Sequence, residues 1–500
     1  MLKSLIFLGS IFLTTKTFAQ FCQIYTSTKN VVVKQNDEFY KALAGAQACP
    51  GEINAVHEIL RSSLHNKKYL VANRGRNNPR MGSFSIFETY STQNQLNDAG
   101  IFLGHFTQLS NQNGKHVIDL DQTPNQGKLM VELIAWDNVK GYYNFYELIG
   151  EGVSSRWYYR GDSKDILMDN RLIYLNNTPQ KPPIGQTLRC SGCHISGGPI
   201  LKEINFPHND WWTKSRPLIF EHPLSGSFMQ QVQSLDTAEN FAVQVKTGIQ
   251  KLENSPRYQM LKRSLGIQNQ LRPLFCDLEI NIESDTTPFD KTTHIQIPAS
   301  SIGSPLVKTS SFMLQKGVYT GLLQKYKMQF PENKAIDADH AWLVPVKGFS
   351  DLVALTALRS SGVADDKTIF DIHFSAPMGS LMDKDRCALL KLVPNTTNWK
   401  AGFMQNLKNS NLPVAQAMYQ RMTNSSYTPA FYQSKMAQWY QQTLKQLASG
   451  QSDIFFQQML RNRAAVFQSE ISKNPRGQIL EPGFRVIFPQ PSVRPDARKL

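Results

Sequence analysis

Long apolar runs are almost missing from this 500-residue sequence. The one short run near its start, Leu5 to Leu13 (LIFLGSIFL), has nine residues. A bilayer-spanning helix needs about 20, so no transmembrane segment is expected. Clustered positive charge is missing too. Lys and Arg total 54 against 39 Asp and Glu, a net charge of +15, yet no basic run exceeds Lys67-Lys68 or Arg498-Lys499. Without a basic stripe or a reader motif, nucleic acid is not an expected partner. No internal repeat is present. With 41% hydrophobic, 19% charged and 10% aromatic residues, a disordered chain, a collagen and a long coiled coil are excluded. Cysteines number only six, and a chain this long can bury a sizeable core without depending on disulfides.

The first residues carry a three-part export pattern. Lys3 supplies a positive start, Leu5 to Leu13 the apolar stretch, and Thr14 to Ala19 a polar, small-residue end. This predicts a signal peptide over 1–19, cleaved after Ala19. Gln20 and Phe21 precede Cys22 where a lipid-modified cysteine wants a small neighbour. The mature chain is therefore expected to be periplasmic or secreted, in an oxidising compartment. Its positive balance reads first as a solvated basic surface. The alternative is a face for an acidic partner, such as an acidic redox protein or an anionic membrane.

The pattern along the chain predicts an α+β protein with a β-rich N-terminal half, a loop-rich central segment and a mostly helical C-terminal half. The expected units are 20–175, 176–265 and 266–500. Lys128–Asp137, Tyr142–Ile149 and Ser155–Arg160 read as three strands of an antiparallel meander. Their aromatics, Trp136, Tyr142, Tyr143, Phe145, Tyr146, Trp157, Tyr158 and Tyr159, read as strand core, with a wall facing a cofactor as the alternative. Residues 176–189 are a Pro- and Asn-rich connector. Asp236 and Glu239 form a capping box ahead of a stripe at Phe241, Val245, Ile249 and Leu252. Further helices are expected over 403–422 and 433–470, the latter with a stripe at Met436, Tyr440, Leu444 and Leu447. Short apolar runs within 274–298 and 340–356 suggest strands, and 475–500 an extended arm.

Cys190-Ser191-Gly192-Cys193-His194 is C-x-x-C-H, the attachment sequence of c-type haem. Two thiols three residues apart can add to the two vinyl groups of one haem, and the following His then meets the iron as proximal ligand. A tight Cys190–Cys193 disulfide, a thioredoxin-like pair and a zinc site using Cys190, Cys193 and His208 are the competing readings. The thioredoxin-like pair needs a following helix, and Gly197-Gly198-Pro199 argues against one. Four cysteines remain, allowing three pairings. The local one, Cys22–Cys49 with Cys276–Cys387, is expected because each pair lies within one half. Free buried thiols are the alternative.

The run LRCSGCHISGGPILKEINFPHNDWW resembles large proteobacterial periplasmic proteins with a single cytochrome-c-type haem motif. Cys190, Cys193, His194, Gly197, Gly198, Lys202, Glu203 and Trp212 carry the resemblance, and the C-terminal run RGQILEPGFRVIFP is similar to such proteins too. The resemblance implies one covalent haem c and export. Some relatives have Met where this chain has Leu201, so a Met ligand there is not available to it.

A low-spin electron carrier needs a second axial ligand, Met or His. His208 is the first candidate and Met229 the second, followed by His222 and Met260. Asp339-His340 and Asp371 with His373 read as structural polar pairs rather than proton-transfer pairs. Three functions compete: a c-type cytochrome transferring electrons to an unidentified redox partner, a haem enzyme or gas sensor with an open sixth position, and a haem-free exported interaction protein whose C-x-x-C is a disulfide.

Overall fold

The computed structural model describes residues 22–61, 64–72, 84–105, 131–170, 190, 194–200, 234–276, 343–375 and 384–448, apart from a few loop positions inside these ranges, together with short segments between them. The expected signal sequence over 1–19, the expected connector over 176–189 and the expected arm over 475–500 lie outside the described residues.

Six strands form one antiparallel sheet in simple chain order. They are β1 (His65–Ala72), β2 (Phe84–Ser91), β3 (Ile101–His105), β4 (Val131–Asp137), β5 (Tyr142–Glu151) and β6 (Ser154–Asp162). The meander expected over the last three is present, and it extends to all six. Side chains alternate across a strand, and here both alternating sets are apolar. Ile101, Leu103, Leu133, Tyr146, Leu148 and Trp157 lie on one face, where α1 (Glu38–Gly45) and α2 (Ile53–Arg61) add Phe39, Leu43, Val56 and Leu60. Phe102, Ile134, Tyr143 and Phe145 lie on the other. That face is covered by α3 (Ser163–Asn170), α4 (Ala238–Asn254) and α5 (Pro256–Ser264), through Ile166, Phe241, Val245, Ile249, Leu252 and Tyr258.

The stripe expected on α4 is buried as its spacing predicts. Its cap sits one residue later than expected. Thr237, not Asp236, occupies the N-cap and accepts from the Asn240 N–H, while Asp236 accepts from the Thr237 N–H and the Asn240 side chain. Ser255 ends α4 and caps α5, with Pro256 in the first helical position, where its missing N–H costs nothing.

The C-terminal half is helical: α6 (Ile267–Phe275), α7 (Lys316–Lys325), α8 (Phe349–Ser360), α9 (Asp366–His373), α10 (Lys384–Ala388), α11 (Trp399–Lys408), α12 (Pro413–Thr423) and α13 (Pro429–Ala448). Leu271, Leu274, Leu355, Ile369, Phe403 and Met418 fill its core. One expectation is corrected: the helix expected over 403–422 is two helices, because Pro413 cannot continue α11 and instead starts α12. The strands expected within 274–298 and 340–356 are present: Ile280–Ser284 pairs with Leu343–Lys347, and His294–Ile297 is a further strand. From Phe349 the chain is α8, whose Ala354, Leu355 and Leu358 recur at helical spacing. On α13, Met436 is buried and Tyr440 half-buried, whereas the side chains of Leu444 and Leu447 lie outside the description.

Both expected disulfides are present, Cys22–Cys49 across 27 residues and Cys276–Cys387 across 111. The first ties the N-terminal segment to the chain ahead of α2, and the second ties the end of α6 to α10. Among the described residues, no helix is long and apolar enough to cross a membrane. Loop-closure entropy grows with loop length, so replacing Cys276 and Cys387 with Ser should cost about 1 kcal/mol more than the same change at Cys22 and Cys49. Urea unfolding of the two double variants measures the difference.

Candidate haem attachment site

The motif enters the described structure at Cys190 and resumes at His194. The His194 N–H donates to the Cys190 carbonyl at 2.9 Å. The spacing is that of an α-helical hydrogen bond. The Gly197 N–H donates back to the His194 carbonyl at 2.8 Å, and Gly197 takes φ +72°. Residues 195–200 form a turn and an irregular stretch, so the helix that a thioredoxin-like pair needs after its cysteines does not follow.

His194 is half-buried, and its Nδ1 lies 2.8 Å from the Gly198 carbonyl oxygen. A carbonyl only accepts, so Nδ1 carries the proton and the neutral ring has its lone pair on Nε2. Metal-binding histidines are commonly held in this way, with the second ring nitrogen donating to a backbone carbonyl. The ring lies 5.2 Å from that of Phe145 on β5. Cys190 is half-buried and packs against the same aromatic cluster.

The two glycines seat the turn against its neighbours. A Cβ on Gly197 would stand 2.9 Å from the Ser163 backbone, and one on Gly198 would stand 2.8 Å from Leu252 of α4. Ser163 donates to the Gly197 carbonyl at 2.6 Å, and the Tyr258 hydroxyl to the Ser196 carbonyl at 2.5 Å. Ile195 turns the other way and joins the core of the C-terminal helices. The four residues Ile195 to Gly198 thus fasten the motif to both halves of the described fold.

The aromatics of β4 to β6 divide between the faces. Trp136, Tyr142, Tyr143 and Phe145 belong to the cluster that Cys190 joins. Tyr146 and Trp157 pack with Phe39 under α1, as ordinary strand core. Cys193, His208, Met229 and His222 lie outside the described residues. Met260 is 63% exposed on α5 and does not point into the core. Asp339 and His340 also lie outside the description. Asp371 accepts from Lys367 at 2.6 Å and from Tyr432 at 2.9 Å, a structural role in the helical half, and the buried His373 ring packs edge-on against Phe374. Sequence reasoning missed Ser163 and Tyr258, because single hydroxyl residues more than 25 positions from the motif carry no spacing signal.

Comparison with family models, curated proteins and solved structures finds no match to this chain.

The residues present fit a c-type haem. A C-x-x-C-H sequence whose histidine donates from Nδ1 to a backbone carbonyl is the donor set that such a haem uses. Gly197→Ala should be more damaging than Gly362→Ala. Both glycines have φ near +70°, but a Cβ at Gly362 meets nothing within 4 Å. Gly362→Ala should cost about 1–2 kcal/mol from backbone strain alone, and Gly197→Ala at least about 1 kcal/mol more from the added clash. Chemical denaturation of the two variants reads the difference.

Proposed function

We propose that this chain is an exported c-type cytochrome with one haem bound covalently through Cys190 and Cys193 and with His194 as the proximal iron ligand. The observation that carries the reading is the His194 imidazole, held at Nδ1 by Gly198 within a C-x-x-C-H sequence. The resemblance to large periplasmic proteins with a single haem motif supports it, as do two disulfides, which persist in an oxidising compartment. Cleavage after Ala19 would deliver the chain there.

When bound, the haem supplies an iron that changes oxidation state by one electron. The protein's own part is to hold the ligand and shield one side of it. Gly198 keeps the proton on His194 Nδ1, and Phe145 packs beside the imidazole. The best-supported activity is electron transfer, with His208 as the first distal ligand and Met229 as the second. Cleavage after Ala19 removes Lys3 and Lys16 from a chain of net charge +15, and the mature protein stays basic, which suits an acidic redox partner.

A haem enzyme or gas sensor with an open sixth position is the second reading. Chain size favours it, since electron transfer is satisfied by about 100 residues, near the common domain size, and this chain has 500.

Intact-mass and visible spectra of the protein from a host that attaches haem test the proposal. The expected result is the mature chain from Gln20 plus one haem, with a Soret band. An unmodified mature mass with no Soret band would overturn it and leave the disulfide-bonded interaction protein. Low-spin ferric bands that become high-spin in His208→Ala support electron transfer through a bis-His iron. A wild-type protein that is already high-spin favours the enzyme or sensor.

A further inference from the structure

We propose that Ser163 and Tyr258 are positioning residues for His194, acting through the backbone of the turn that holds its imidazole. The proposal rests on the haem reading above.

Three consecutive carbonyls, those of Ser196, Gly197 and Gly198, accept hydrogen bonds from three different side chains. Tyr258 donates to the first at 2.5 Å, Ser163 to the second at 2.6 Å, and His194 Nδ1 to the third at 2.8 Å. Only the last donor belongs to the motif. Ser163 opens α3 and Tyr258 lies on α5, and both are buried. Each peptide plane is rigid and only two torsions per residue are soft. Fixing the Ser196 and Gly197 carbonyls therefore leaves the Gly198 carbonyl little freedom to swing away from the imidazole.

Each clamp is itself held. The β5–β6 register shifts between Asn144 and Tyr146, so β6 carries one extra residue there, next to Gly161 at φ +97°. Such a bulge bends a strand and re-aims the side chains after it. Here it brings Ser163 over the β5 backbone, where its hydroxyl accepts from the Tyr143 N–H at 3.0 Å. Its single proton has two carbonyls in reach, Gly197 at 2.6 Å and Tyr143 at 3.3 Å, and the shorter contact is the one to Gly197. Tyr258 is buried among Leu252, Ile249 and neighbouring apolar side chains. Burial first, and then the nearby Glu253 charge, raise its pKa well above the ordinary tyrosine value. The phenol therefore remains a donor at any working pH.

The electronic consequence follows from the Nδ1–H bond. A strong bond to a fixed carbonyl raises the basicity of the opposite nitrogen, and second-shell hydrogen bonding of this kind is one of the levers on haem potential. A more basic ligand favours ferric iron. Loosening the turn weakens the bond and should move the potential upward.

The test uses Ser163→Ala, Tyr258→Phe and the double variant in the full-length haem-bound protein, with Tyr90→Phe as control. Tyr90 is also buried and donates to Glu88, on the opposite face of the sheet. Spectroelectrochemical titration should show an upward shift in midpoint potential for both single variants, larger in the double variant, and none for Tyr90→Phe. Hydrogen exchange of the 194–198 backbone should be about fivefold faster or more in the two clamp variants, as expected for the loss of one buried hydrogen bond. Unchanged potentials, even with lowered melting temperatures, would overturn the proposal by reducing both residues to a structural role. A wild-type protein without haem fails the functional reading instead, and the exchange measurement then decides the clamp alone. Unchanged exchange in the haem-free protein would overturn that too.

Discussion

A sheet that is apolar on both faces has to be covered on both, and most of the described fold follows from that requirement. In β3, β4 and β5 successive residues point to opposite sides and both sets are buried. A register slip of one residue would exchange the two sets. It would bring Tyr146 and Leu148 to the face of the haem motif and send Phe145 away from His194. The polar ends of these aromatics act as register keys. The Tyr146 hydroxyl donates to Asp37 at 2.6 Å, and the Trp157 indole donates to the Pro50 carbonyl at 2.8 Å.

Asp37 shows how one carboxylate joins local and tertiary structure. It caps α1 through the Tyr40 N–H and also accepts from Asn144 and Tyr146 on β5. Burial raises its pKa, and the donors from Tyr146, Tyr40 and Asn144 work against that rise. On the same face the Glu88 carboxylate is enclosed by His57, Asn66 and Tyr90, at 2.7, 2.7 and 3.0 Å. Buried acids are tolerated where donors surround them. Together with the Cys22–Cys49 disulfide they hold the first two helices against the sheet.

The opposite face has another use. Its covering helices α3, α4 and α5 supply the three contacts of the Ser196–Gly198 turn: Ser163, Leu252 and Tyr258. Ile195 crosses to the helical half and joins its core. The motif therefore sits where two hydrophobic cores approach each other. A rigid setting of this kind suits the proposed haem, and it fastens a short sequence to both parts of the described fold.

Much of this was legible in the residues. The five-residue motif was legible as a candidate haem site, because thiol spacing and the adjacent imidazole are local. Partial alternation with branched and aromatic residues, punctuated by the turn signals at Asn138–Gly141 and Gly150–Gly152, located β4, β5 and β6, and period-3.6 spacing located the buried side of α4. An even remainder of cysteines, split between the halves, was enough for the pairing. Other features were not legible. Thr237 and Asp236 are both good caps, and only the backbone path selects one. Whether Phe145 or Tyr146 faces the motif depends on which helices cover which face. That Gly198 receives the His194 proton, and that Ser163 and Tyr258 brace the turn, depends on contacts 34 and 62 residues apart in sequence for the two braces. Sequence determines short-range geometry because a few torsions link neighbouring residues. Long-range hydrogen bonds form only after the packed sheet and its helices have brought the partners together, and so only the tertiary structure decides them.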